Sequence, residues 1–237
     1  MVNVHPPVKS LKRIALDLLF PRWCIGCGKE GDYICAACRE QLPAIRPPVC
    51  PRCGRPLADG PVCPGCADMD DEIDGIRAPF LFDGVIRQAV HELKYRNLRA
   101  LAPLLAAFLH AYLREFPLKG DVLVPVPLHP RRLRERGYNQ SARLARELGR
   151  LGGRPVREDA LVRTGFAPPQ VRSSGEAERR RNVAGAFACP SPQAVVDKRV
   201  ILIDDVTTSG ATLNAGAGVL KAAGAASVWG LVLALEE

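Results

Sequence analysis

Eight of the nine cysteines fall as four Cys-x-x-Cys pairs within the first 66 residues: Cys24/Cys27, Cys35/Cys38, Cys50/Cys53 and Cys63/Cys66. Such a pair sets two thiolates on one side of a tight turn, and two pairs complete a tetrahedron around a metal ion. Gly28 and Gly54 directly follow the second cysteine of a pair, where backbone tolerant of a positive φ helps the turn. Seven residues separate Cys27 from Cys35 and nine separate Cys53 from Cys63, spacings that fit two ribbons in series; closure in sequence order is favoured, with interleaved pairs as the alternative. The competing readings are redox dithiols or four isolated pairs. A thioredoxin-type motif occurs once beside a strand, not four times in a Pro-rich stretch. With all eight thiolates used, each zinc has no open position, so the two zinc ions are expected to be structural. Thiolate ligands also need a reducing compartment, which points to the cytoplasm. Cys189 stands alone and is expected to serve packing.

The second constellation runs Val200-Ile201-Leu202-Ile203-Asp204-Asp205-Val206-Thr207-Thr208-Ser209-Gly210-Ala211-Thr212. It reads as a buried strand ending at two acids, then a small, hydroxyl-rich loop opening a helix. Ligands of open α/β sheets bind at the carboxyl ends of the strands. Unpaired backbone N–H groups, hydroxyls and a helix N-terminus suit a phosphate dianion. The two carboxylates are acceptors and suit sugar hydroxyls or a metal-bound polyphosphate. Taken alone, the acids would equally serve as a phospho-acceptor or Mg²⁺ site, and the loop as an ordinary helix cap. Their order in one run is what makes a phosphate and ribose pocket specific.

The elements that must position these groups can be read from periodicity. Residues 76–82 read as a strand, 84–95 and 98–116 as helices, and 122–126 as a short buried strand. A helix is expected over 138–151, a strand over 200–203, a helix over 213–223 and a last strand over 227–235. Strands alternating with helices predict a mostly parallel sheet covered on both faces. Residues 22–67 are rich in Cys, Pro and Gly and make a metal-held double ribbon, because nothing there builds a core of its own. The acidic run Asp68-Met69-Asp70-Asp71-Glu72 makes a linker to an α/β domain over 76–237. Residues 1–21 are expected to form an amphipathic helix packing Leu11, Ile14, Leu18 and Leu19 on the protein or a neighbour, since Lys12, Arg13 and Asp17 argue against reading them as a membrane span or a signal peptide. The stretch from Thr164 to Asn182, dense in Pro, Gly, Ser and charge, is expected to be a mobile cover over the site.

Composition is ordinary for a globular chain of 237 residues, with 47% hydrophobic and 24% charged residues. A net charge of +8 favours an anionic partner. Seven arginines lie between residues 131 and 150. They form either a solvated helix face, partly paired by Glu135 and Glu147, or a basic surface for phosphates, including those of single-stranded DNA. Tyr138 is the only aromatic residue in that run, so base stacking there is limited.

The run from Ile203 to Thr212 resembles the phosphoribosyl pyrophosphate signature of type I phosphoribosyltransferases. Upstream, Val124-Pro125-Val126-Pro127-Leu128-His129, followed by Arg132, Arg136, Gly137, Tyr138, Asn139 and Gln140, is similar to the ComF-type competence protein family. Arg163, Thr164, Gln170, Arg179, Asn182 and Gly185-Ala186-Phe187 add to that likeness, which spans nearly the whole chain because the family carries an N-terminal zinc ribbon. The resemblance implies a type I phosphoribosyltransferase fold binding phosphoribosyl pyrophosphate or a nucleotide with Mg²⁺. Asp204 and Asp205 would hold the ribose hydroxyls, and Thr208, Ser209, Gly210, Ala211 and Thr212 the 5′-phosphate, with Thr207 part of the same binding run. Pro127, Leu128 and His129 would form the pyrophosphate loop, with Arg132 and Arg136 supplying charge. The family often has Thr where Ala167 stands, which bears on the contacts of the cover. The activity implied is transfer, or sensing, of a phosphoribosyl group; the alternative is a non-catalytic single-stranded-DNA adaptor in DNA uptake.

Overall fold

A computed structural model of the chain describes residues 21–67, 71–164 and 186–236. The expected N-terminal amphipathic helix, most of the acidic linker and the cover between Gly165 and Arg181, with Ala167 and Gln170, lie outside the described residues.

A parallel sheet carries the architecture. Its strands are β1 (Gly75–Arg77), β2 (Phe80–Leu81), β3 (Val122–Pro125), β6 (Arg199–Thr207) and β7 (Ser227–Leu235). They run in the order β1–β7–β6–β3, all parallel, and β2 continues the β1 edge along β7. The strand expected over 76–82 is therefore two short pieces. Ala78-Pro79 separates them, and Pro79 has no N–H to give a ladder. A two-stranded antiparallel ribbon, β4 (Val162–Arg163) with β5 (Phe187–Ala188), stands apart from the sheet.

The helices follow the same logic. A short α1 (Ala36–Glu40) lies among the cysteines; then come α2 (Gly84–Tyr95), α3 (Ala102–Glu115), α4 (Pro130–Arg136), α5 (Gln140–Gly152) and α6 (Ala211–Ala222). The helix expected from residue 98 begins with a 3₁₀ turn over Arg99–Leu101, and Pro103 sits where a helix start lacks need of an N–H. Asn139 caps α5, its side chain accepting from the amides of Ser141 and Ala142.

Successive residues of β6 serve opposite faces. Ile201 and Ile203 pack with Leu93, Leu105, Leu109, Leu144 and Leu148 of α2, α3 and α5. Val200 and Leu202 pack with Leu213, Leu220 and Phe187 on the α6 side. Both faces are closed, which is why β6 and β7 read as near-continuous apolar runs.

The cysteine segment is not the coreless appendage its composition suggests. Ile34 is fully buried in the α2–α3 cluster, and Ile45 is buried in the other. Residues 43–45 also cover the sheet edge: Ile45 N–H donates to Pro79 O at 2.8 Å and Leu81 N–H to Pro43 O at 2.9 Å. Edge groups left bare would invite pairing with another chain.

Candidate functional site

The structure brings the cysteines into two groups, Cys24/Cys27/Cys35/Cys38 and Cys50/Cys53/Cys63/Cys66, each with all four ligand atoms within 4.8 Å of one another. Sequence order closes both sites. Zn–S bonds of about 2.3 Å in a tetrahedron set sulfurs about 3.8 Å apart. The Cys27–Cys35 and Cys53–Cys63 Sγ distances are both 3.6 Å, so the residues fit zinc. The two ribbons repeat one knuckle: Cys24 N–H donates to Lys29 O and Cys50 N–H to Arg55 O, both at 2.8 Å, while Gly28 and Gly54 take φ of +71° and +77°. Burial pushes the Cys24 and Cys50 thiols up, but surrounding amides, first those of Cys35 and Cys63 respectively, outweigh it and hold both at about 6. Hydrogen bonding to Cys24, then burial, pushes Cys38 up to about 12. Four thiols this close cannot all ionise without a cation among them, and a metal ion supplies it.

At the other end of the chemistry, β6 does not stop at its acids. It runs on through Asp204, Asp205 and Val206 to Thr207, because Val206 and Thr207 keep pairing with Ala234 and Leu235 of β7. The carboxylates thus belong to a rigid strand, and its alternation sends them to different partners. Asp204 Oδ1 accepts from Ser141 Oγ, at the start of α5, at 2.6 Å and from Asp205 N–H at 2.9 Å. Asp205, almost fully buried, pairs with Lys94 Nζ of α2 at 3.0 Å and accepts from Val206 N–H at 2.8 Å. Burial, and then the neighbouring Asp205 charge, pushes Asp204 up to about 7, against the pull of Ser141 and Lys94.

After Thr207, itself buried, the chain turns through Thr208 and Ser209 to Gly210. Gly210 caps α6 with φ +76°, a left-handed conformation that favours glycine, and a Cβ there would also press on the Ile76 Cδ1 methyl at 2.8 Å. The first amides of α6, at Ala211 and Thr212, have no acceptor within their helix.

The loop after β3 emerges beside these groups. Pro125 pairs with Ile203, and Val126 N–H donates to Ile203 O at 2.9 Å. Asn139 Nδ2 holds Val126 O at 3.0 Å. Pro127 and Leu128 follow, and His129 caps α4 by accepting from Arg131 N–H at 3.2 Å. Arg132 is exposed. It shares a neighbourhood with Arg163, which lies 5.4 Å over Phe187 and whose pKa falls through burial first and the Arg132 charge second, opposed by Asp204. Arg136 is engaged elsewhere: it donates to Gln140 and stands 5.4 Å over the Tyr95 ring. Ser141 and Lys94 were not among the residues singled out from sequence. Ser141 directly follows the Asn139-Gln140 pair of the family-like run. Lys94 carries no local signal, because only the packing of α2 on the sheet brings it to Asp205.

A parallel α/β sheet with paired acids at one strand's carboxyl end, preceded by a double four-cysteine ribbon, defines the class of protein. The double zinc ribbon domain family matches residues 15–67. Over 226 residues the chain is 30% identical to Competence protein F of Haemophilus influenzae, covering 89% of this chain and 96% of that protein. It is 29% identical to Competence protein ComFC of Bacillus subtilis (84% of this chain, 82% of that one) and 29% identical to DNA utilization protein YhgH of Escherichia coli O157:H7 (82% and 87%). The chain belongs to the ComF-type competence protein family. Among solved structures it is similar to the glutamine phosphoribosylpyrophosphate amidotransferase of B. subtilis, at 21% identity and a TM-score of 0.36 over 56% of this chain and 25% of that one. Among the described residues no helix is long and apolar enough to cross a membrane.

Proposed function

We propose that this chain binds phosphoribosyl pyrophosphate, carried with Mg²⁺, at the carboxyl end of β6 and transfers or senses its phosphoribosyl group. The observation that carries the reading is the continuity of β6, Asp204, Asp205 and the Thr208–Thr212 turn into α6, with Ser141 and Lys94 holding the acids. Asp204 is the freer acceptor for a ribose hydroxyl, since Asp205 is buried against Lys94. The loop amides and the hydroxyls of Thr208, Ser209 and Thr212 take the 5′-phosphate. Pro127, Leu128 and His129, with Arg132 nearby, face the pyrophosphate. Mg²⁺, arriving with the substrate, would supply screening of its phosphate charge. Transfer would form a bond from the acceptor to ribose C1 as the C1–O bond to pyrophosphate breaks. The protein's share is positioning and stabilisation of the leaving charge. The double ribbon (22–67) is structural in this reading, the phosphoribosyltransferase-like unit (76–237) holds the ligand, and the work is done in the cytoplasm.

A second reading, a single-stranded-DNA adaptor, is supported by a surface feature and by a relative's name, DNA utilization protein. Tyr95 is 69% exposed, has Arg136 over its ring and packs against His91 at 5.1 Å, an arrangement on which a base can stack.

Calorimetry with phosphoribosyl pyrophosphate and Mg²⁺, on the wild type and Asp204→Asn, separates the two. Loss of a hydrogen bond to a charged group, about 1.5–3 kcal/mol, weakens binding about tenfold or more. Equal affinity in both, or none in the wild type, sinks the pocket. Salt-sensitive binding of an oligonucleotide lost in Tyr95→Ala then favours the adaptor.

A further inference from the structure

The cysteine module touches the phosphate loop. Arg55 follows Gly54 in the second knuckle, and its Nη2 donates to Thr208 O at 2.7 Å and lies 3.4 Å from Glu236 O. The arm is fixed at its root. Arg55 O accepts from Cys50 N–H at 2.8 Å, and Gly54 N–H donates to Cys50 O at 2.9 Å. A Cβ on Gly54 would meet Ile76 O at 2.5 Å, so the knuckle lies flush on β1. Arg52 O accepts from Ile76 N–H at 2.7 Å, and Arg77 donates to Pro51 O at 2.9 Å while lying 4.9 Å over Trp229.

We infer that Arg55 is a positioning residue for the Thr208–Thr212 loop, set by the second cysteine knuckle so that the loop keeps the shape a phosphate group needs. The inference rests on the pocket reading above. In a planar trans peptide the carbonyl and the next N–H point in opposite directions. A guanidinium holding the Thr208 carbonyl on the ribbon side therefore turns the Ser209 N–H away from the ribbon. Thr207 O is held as well, accepting from Glu236 N–H at 2.9 Å. Two successive carbonyls are thus pinned just before Gly210, and the turn between β6 and α6 has little freedom left. The ligand end so organised is a phosphomonoester. Arg55 adds positive charge behind the turn without having to touch the ligand.

The test uses the full chain loaded with zinc, as wild type, Arg55→Met and Arg55→Lys, with two readouts. Without ligand, amide hydrogen exchange at Ser209 and Gly210 is expected to rise roughly three- to tenfold in Arg55→Met, as one charge-assisted bond to a partly exposed loop is lost. With phosphoribosyl pyrophosphate and Mg²⁺, the dissociation constant is expected to rise by about the same factor. Arg55→Lys, which keeps a donor for the Thr208 carbonyl, is expected to recover most of both. Zinc content and ribbon exchange are followed throughout. Unchanged loop exchange in a variant that retains its zinc overturns the inference. Equal loosening of the ribbon and the loop overturns it too, since Arg55 then serves docking alone. If the wild type binds no phosphoribosyl pyrophosphate, the pocket reading fails while the exchange readout still decides the role of Arg55.

Discussion

Replacing Asp205 with Asn tests whether the acid pair is held by the fold in the way its contacts indicate. The Asp205 side chain is 3% exposed and that of Lys94 20%, with Lys94 Nζ 3.0 Å from the carboxylate. Asn keeps the shape and one acceptor but removes the charge, leaving the ammonium with no anionic partner at that distance. Removing one member of a buried pair costs about 3–5 kcal/mol, and partial exposure of Lys94 places this case near 3. At about 2–4 °C per kcal/mol for a chain of this size, the melting temperature of the zinc-loaded protein is expected to fall by about 6–12 °C. Part of that loss is offset, because the Asp205 charge is the second cause of the raised Asp204 pKa. Lys94→Met with Asp205→Asn should recover stability relative to Asp205→Asn alone, since no unpaired charge stays buried. Asp204→Asn should leave the melting point near wild type while weakening ligand binding, because the carboxylate it removes is one whose ionisation the site already opposes. Calorimetric melts of all four proteins at pH 8 provide the numbers. An Asp205→Asn melting point within 2 °C of wild type, roughly the 1 kcal/mol detection scale, would refute the reasoning. So would a double variant no more stable than Asp205→Asn.

The remaining expectations concern metal and pH. Elemental analysis of the reduced, folded protein should give about two zinc per chain, and Cys50→Ser should lower this toward one. Because residues 43–45 and 50–55 sit on the β1–β2 edge, that variant should also lower the melting temperature of the whole chain and not only loosen the ribbon. Asp204 has a folded pKa of about 7, above that of a free carboxyl, so its contribution to stability is full below pH 4 or so and is lost as pH rises through 7. Ligand hydroxyls need the ionised form, so affinity for phosphoribosyl pyrophosphate should climb between pH 6 and 8. Asp204→Asn should remove the Asp204 part of that climb, measured by calorimetry across the range.

Much of this protein was legible in its residues because the signals are local. Cys-x-x-Cys spacing decides which thiolates share a turn; the spacers favoured closure in sequence order over interleaving, and the folded chain decided it. The span of α2 from Gly84 to Tyr95 and of β7 from Ser227 to Leu235 matched the reading from periodicity, since each is amphipathic or apolar along its own length. What periodicity could not show was where β6 ends. Asp204 and Asp205 look like a strand terminus by composition, yet ladder pairing with β7 carries the strand past them. Lys94, Ser141 and Arg55 were decided by tertiary structure alone. They lie 111, 63 and 153 residues from Asp205, Asp204 and Thr208, the groups they hold. No property of a local window encodes such a meeting; it arises when helices pack on a sheet and a ribbon covers its edge. The sequence by itself determined the two metal sites, the parallel α/β class and the acids with their glycine turn, because each depends on residue type and spacing along the chain. Only the packed chain decided which cation neutralises which acid, because a charge buried by folding must take whatever partner the neighbouring elements bring within reach.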